Sequence, residues 1–282
     1  QSCVNVTLLN SRIDVADDGV CPKASASMGP LTNLYVRNVT IRSKSHAIKF
    51  GSNTDTLMSN IVFDNITIWD SNGGLSIQQR SGGNIRNVTW SNINVETRYQ
   101  AARWWGNGEW LSVSNNVRDV APVGNIRNMT FVNISGRSEN GGLLSGLSGG
   151  VDGIKFENIY IKIAAWGNYS DGPQPCCAEE QVCVGKICTT HPLPTGTNIS
   201  CMGTRDYRPT THGAGSACPK GHDRVPSKAD GIYLENAHYV DFNNVTFEFE
   251  MPRKEWFGEC INVDHWSSHV TGVGGVKCIH GP

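Results

Sequence analysis

The stretch "NLYVRNVTIRS", residues 33–43, carries two short alternations, Leu34 and Val36 and then Val39 and Ile41, with the phase slipping at Asn38. Period-two alternation marks a strand with one buried face. A slip at an asparagine reads as a corner, because asparagine tolerates the left-handed backbone conformation. The same phrase returns along the chain as "LLNS", "FDNI", "WSNI", "FVNI", "FENI" and "FNNV". Its asparagines are Asn10, Asn38, Asn65, Asn92, Asn133, Asn158 and Asn244, at intervals of 28, 27, 27, 41, 25 and 86 residues. A second asparagine stands five residues earlier in five units, at Asn5, Asn33, Asn60, Asn87 and Asn128. The spacing is that of a coil with insertions. The expected fold is all-β, a single-stranded right-handed parallel β-helix whose coils stack about 4.8 Å apart and whose asparagines stack into amide ladders. Asn38, Asn65, Asn133 and Asn244 are expected to point inward at their corners.

Leucine-rich repeats would need a dense leucine consensus, and helical solenoids a 3.6-residue period; the chain has neither. Three regions follow. Residues 1–166 are β-helix coils, 167–228 a cysteine-rich insertion, and 229–282 the last coils and a cap. A separate small domain at 167–228 is the alternative for the middle region.

Composition narrows the function classes. Lys plus Arg (24) balances Asp plus Glu (25) in 282 residues, so the basic footprint of a nucleic-acid binder is missing. No apolar run approaches the roughly 20 residues that cross a bilayer. Of ten cysteines, Cys176, Cys177, Cys183, Cys188, Cys201 and Cys218 crowd into the insertion, which points to disulfides and an oxidising compartment. A zinc site would be the rival, but the CxxC pairs of zinc ribbons are absent. His265 and His269 have metal-like spacing only on a helix, and their surroundings read as strand. Neither a metal nor another cofactor is called for. Nine Asn-X-Ser/Thr sequons agree with a secreted, extracellular or cell-wall protein bearing N-linked glycans. Asn5, Asn87, Asn128, Asn168 and Asn198 are the expected carriers.

Stacking turns repeat arithmetic into contacts. Eight residues past successive corner asparagines lie Asp18, His46, Gly73 and Gln100; one place earlier lie Asp17, Ser45, Asn72 and Tyr99. Asp18 should therefore sit one coil from His46, within reach of an imidazole that orients or charge-stabilises it. Eleven past the corner come Cys21, Lys49, Ser76 and Arg103; thirteen past come Lys23, Gly51, Gln78 and Trp105. Acids, a histidine and cations gather on one side of the first coils, a plausible groove for an anionic sugar. "ARWWGNGEW" offers Arg103, Trp104, Trp105 and Trp110 near that groove, its tryptophans with aromatic faces suited to sugar rings, although tryptophans packed beneath a loop would look the same. For the acid pair the plainer reading is a turn, with Asp bonding nearby backbone N–H groups, and for His46 a polar corner.

"DDGVCPKAS" (17–25) resembles the Asp-Asp segment, and "KSHAIKFGS" (44–52) the histidine segment, of the polygalacturonase-like glycoside hydrolases of family 28, pectin-degrading parallel β-helix proteins. The recurrent Asn-Val/Ile-Thr phrases are shared, and the resemblance runs from residue 1 to about 166. It implies inverting hydrolysis of an acidic, pectin-like polysaccharide, with one carboxylic acid protonating the glycosidic oxygen and carboxylates opposite activating water. By position Asp17 is the implied proton donor, Asp18 a water-activating carboxylate and His46 their assistant. The family's Arg-X-Lys falls on Ser76 and Gln78, and a further Asp would fall before Gln1. Lys49, Arg103 or Arg80 are the available cations, with Gln78, Trp104 and Trp105 completing the substrate-binding set. Both acids reach one groove only if the backbone bends, which Gly19 permits. Two other readings stay open: a non-catalytic glycoprotein whose β-helices assemble head to tail into a fibre, and a carbohydrate-binding module.

Overall fold

The computed structural model describes residues 1–98, 106, 108–115, 124–146, 150–165, 229–254 and 257–280, and the backbone of 180–184 and 187–191. In chain order the strands are β1 (Val4–Val15), β2 (Leu31–Ser43), β3 (His46–Phe50), β4 (Met58–Ser71), β5 (Gly73–Gln79), β6 (Ile85–Thr97), β7 (Leu111–Asn115), β8 (Ile126–Ser138), β9 (Gly142–Ser145) and β10 (Val151–Ile163). A two-stranded antiparallel hairpin, β11 (Glu180–Val184) and β12 (Ile187–His191), follows. Then come β13 (Ile232–Glu235), β14 (Ala237–Phe249), β15 (Ile261–Val263), β16 (Ser268–Thr271) and β17 (Lys277–Ile279). The long strands stack in parallel in the order β1-β2-β4-β6-β8-β10-β14-β16, with β17 also on β14; the short ones stack as β15-β13-β9-β7-β5-β3. From β2 to β15 each coil gives one long and one short strand, so the fold is a parallel β-helix.

Every corner asparagine adopts the left-handed conformation, from Asn10 (φ 51) and Asn38 (φ 54) to Asn158 (φ 55) and Asn244 (φ 51). The column five residues earlier does the same at Asn5, Asn33, Asn60, Asn87 and Asn128. It is continued in register by Gly153, Tyr239 and His269, also at positive φ. The Tyr239 and His269 rings stack at 4.4 Å, replacing the amide contact with an aromatic one. Elsewhere amide donates to amide from coil to coil: Asn38 Nδ2 to Asn10 Oδ1 at 2.9 Å, Asn33 to Asn5 at 2.8 Å, Asn244 to Asn158 at 2.8 Å. Asn92 departs from this and donates to Asp64 Oδ1 at 2.7 Å.

The inward expectation for Asn38, Asn65, Asn133 and Asn244 is wrong: all four are exposed and the ladders run along the outside. The physical reason lies in the phase slip itself. Val36 and Val39 both bury their side chains, so Arg37 and Asn38 between them must both face out, and both are exposed. A left-handed residue is what inserts that extra outward position without breaking the ladder of backbone hydrogen bonds.

The core fills the space between the two sheets. Phe63, Trp90, Phe131, Phe156 and Phe242 stand in one register column and stack ring on ring, at centroid distances of 4.5, 5.9, 5.0 and 5.2 Å. Trp110 is fully buried, donates Nε1–H to Gly231 O at 3.1 Å and meets Phe156 edge-on, so it is a core residue. At the other end β1 pairs on one side, with β2, among the described residues, and Val6 is 37% exposed although its register partner Leu34 is buried. Among the described residues a disulfide joins Cys260 to Cys278, tying the β15 edge to β17, while Cys3 and Cys21 are free thiols. The cysteines of the insertion lie outside the described residues, except for the backbone at Cys183 and Cys188. No helix among the described residues is long and apolar enough to cross a membrane.

Candidate functional site

β1 ends at Val15, and the chain bends through Asp17 and Asp18 before rejoining the stack at Val20, which bridges to Ile48. Gly19 is needed there because a Cβ would lie 2.5 Å from Ala47 O and 2.6 Å from Ile41 Cγ2. The bend thus packs tightly onto the second coil, with Gly19 N–H donating to His46 O at 3.0 Å. The two acids point differently. Asp17 is exposed, and its Oδ1 accepts the Asp18 N–H at 2.8 Å, the turn bond expected of the plainer reading. Its backbone carbonyl accepts the buried Ser43 hydroxyl at 2.6 Å, which fixes the bend from the coil below.

Asp18 is turned toward that coil, its side chain 10% exposed. Its Oδ1 accepts the Ser45 hydroxyl at 2.6 Å and the His46 backbone N–H at 3.4 Å. Its Oδ2 accepts Lys49 Nζ–H at 2.9 Å, and His46 Nδ1 stands 3.9 Å from Oδ1. Burial pushes the Asp18 carboxyl up, but the Lys49 ammonium, the His46 imidazole and the Ser45 hydroxyl outweigh it and hold the carboxyl below its ordinary value of 3.8. The Cys21 thiol, 3.8 Å from Asp18 Oδ2, is pushed the other way, to about 11, by burial and by the Asp18 charge. It is therefore a thiol, and a poor nucleophile, at neutral pH.

The imidazole of His46 is 3% exposed, and its far side meets a residue the coil count does not find: Nε2 donates to Glu109 Oε1 at 2.8 Å. His46 pairs with Gly73 in the next coil, and Leu75 pairs with Leu111 in the one after, so Gly73 lies opposite Glu109. The column thus runs Asp18, His46, Gly73, Glu109, and the missing side chain at Gly73 lets histidine and glutamate touch across two coil spacings. A Cβ there would fall inside contact distance of His46 Cδ2 and 2.9 Å from Nε2.

Sequence counting brings Asp17, Asp18, Ser45, His46 and Lys49 together; the structure joins Asp18 to Ser45, His46 and Lys49, while the Asp17 side chain is exposed beside them. Lys49 is 3% exposed and bonded to Asp18, a position that serves the acid rather than an incoming ligand. Gln78 is 7% exposed with a buried, unpartnered Oε1, and Ser76 is fully buried with an unpartnered hydroxyl. Arg103, Trp104 and Trp105 lie outside the described residues, as do Asn168 and Asn198. Asn87 and Asn128 spend Nδ2 as ladder donors, to Asn60 at 3.2 Å and Asn87 at 3.3 Å, while Asn5 is the acceptor for Asn33.

A parallel β-helix with a carboxylate held between an ammonium and an imidazole, beside a second, exposed carboxylate, is the class that the fold and site define. The chain shares distant similarity with fungal exopolygalacturonases. It is 29% identical over 101 residues to exopolygalacturonase B of Aspergillus niger, covering 32% of this chain and 22% of that protein. Probable exopolygalacturonase B of Aspergillus fumigatus is also 29% identical, over 32% of this chain and 21% of its own length, and that of Aspergillus oryzae 27%, over 32% and 22%. The chain spans about a fifth of the length of these relatives. No family model and no solved structure matches it.

Proposed function

We propose that the chain contributes the acid-bearing coils of a secreted polygalacturonase-like glycoside hydrolase that cleaves an acidic, pectin-like polysaccharide with inversion. The observation that carries the reading is the environment of Asp18. A carboxylate kept ionised by Lys49 and flanked by His46 can take a proton from water, and the adjacent exposed Asp17 is free to meet a glycosidic oxygen. Inversion needs these two functions from two carboxyl groups with a water between base and sugar. In this division Asp17 gives its proton to the departing oxygen, Asp18 accepts one from the attacking water, and His46 steadies Asp18. The distant likeness to exopolygalacturonases supports the substrate class. Recognition of a uronate carboxylate falls to groups other than Ser76 and Gln78, which are neutral, with Arg103 as the candidate cation and Trp104 and Trp105 as faces for the sugar rings. Among the sequons, Asn5, Asn168 and Asn198 are the proposed glycan carriers.

The test is reducing-sugar release from a panel of pectic and other acidic glycans by the full-length protein that contains this chain. Activity is expected in the wild type and a loss of roughly a hundredfold or more in Asp17→Asn, the contribution of one positioned acid. Release that survives in Asp17→Asn would remove Asp17 as the acid, and no release from any substrate would end the hydrolase reading.

A further inference from the structure

We infer that Glu109 is a positioning residue of this site, reaching across the gap at Gly73 to hold a proton on Nε2 of His46 and turn Nδ1 toward Asp18. The role deepens the hydrolase reading and, for its effect on turnover, rests on it. Which ring nitrogen of a histidine is protonated is set by the hydrogen bond the other end makes. Here the Glu109 carboxylate, 5% exposed, accepts from Nε2 at 2.8 Å. Nε2 therefore holds a proton, and Nδ1 is left on the Asp18 side, buried and without a hydrogen-bond partner of its own. An imidazole held in the opposite sense would turn a lone pair on the Glu109 oxygen, a repulsive contact in a site from which water is excluded.

Three features show that the contact is built into the fold. Glu109 stands two residues before β7, bridging Asn140 in the following coil. Its approach is tied down by Asn72, whose Nδ2 donates to Gly106 O at 2.9 Å and whose carbonyl accepts Gly108 N–H at 2.7 Å. Gly73 leaves open the one space that the two side chains share. Removing any of these would leave His46 in its coil and free its ring to choose its tautomer.

The direct measurement needs no substrate. Long-range proton–nitrogen spectra of the wild type, with His46 assigned by His46→Gln, are expected to show a slowly exchanging proton on Nε2. A proton on Nδ1 alone would overturn the inference. Glu109→Ala should mix the tautomers and lower kcat roughly a hundredfold with KM little changed. Glu109→Gln, whose amide oxygen still accepts from Nε2, should restore most of both. Gly73→Ala, whose Cβ would overlap the His46 ring and part it from Glu109, should lower kcat at least as far. A Glu109→Ala protein that keeps both the wild-type tautomer and the wild-type kcat would also overturn it. Should a variant fail to fold, the wild-type spectrum decides. If the wild type turns over nothing, the hydrolase reading falls while the spectrum still judges Glu109.

Discussion

Asp18 and Lys49 form an ion pair that is nearly closed to water, with side chains 10% and 4% exposed. Such a pair adds little over an apolar substitute, but removing one partner strands the other. Asp18→Asn is expected to cost about 3–5 kcal/mol at neutral pH, read from denaturant unfolding. The sign of the pH dependence follows from a folded-state carboxyl held below its ordinary value of 3.8. The contribution of Asp18 is complete above that value and disappears as pH falls through the lower, folded one. The wild-type advantage over Asp18→Asn should therefore be flat above pH 5 and shrink only in strong acid. An advantage that instead grew on acidification would contradict the assignment of Asp18 as the ionised partner.

Strands β1, β2, β4, β6 and β8 make both corners with left-handed asparagines, a conformation that costs other L-residues about 1–2 kcal/mol. Asn38 offsets this with an amide bond to Asn10 on one side and to Asn65 on the other. Asn38→Ala is expected to destabilise by about 2 kcal/mol, strain and lost hydrogen bonds together, and Asn38→Gly by less, because glycine keeps the conformation. Equal losses in thermal or denaturant unfolding would show that the bonds alone matter. The ring column inside the same strands is a larger matter. Phe131 is stacked between Trp90 and Phe156, so Phe131→Ala should cost about 3–5 kcal/mol. The strand pattern and the left-handed corners were legible in "VRNV". The direction of the asparagines was legible too, in the two consecutive positions that the slip forces outward, and the inward expectation missed it by treating the corner as a buried turn.

At the scale of the whole molecule the coils contact mainly their neighbours, so stability is distributed coil by coil and ends can open independently. The Cys260–Cys278 disulfide closes an 18-residue separation at the C-terminal coils, and loops of that size gain about 3 kcal/mol from such a bond. Reduction should speed hydrogen exchange in β14 to β17 while β4 and β6 keep their protection; uniform acceleration would mean the solenoid unfolds as one unit. Repeat arithmetic alone determined the β-helix, its left-handed asparagine columns, and the meeting of Asp18 with His46, because between Asn10 and Asn65 the coils have nearly equal length and counting is equivalent to stacking. It failed at Glu109. Eight residues past Asn92 is Gln100, whereas the register sets Glu109, seventeen past Asn92, opposite Gly73. Only the tertiary structure could decide that contact, since an insertion has no period and a glycine's empty space is defined by what other coils place around it.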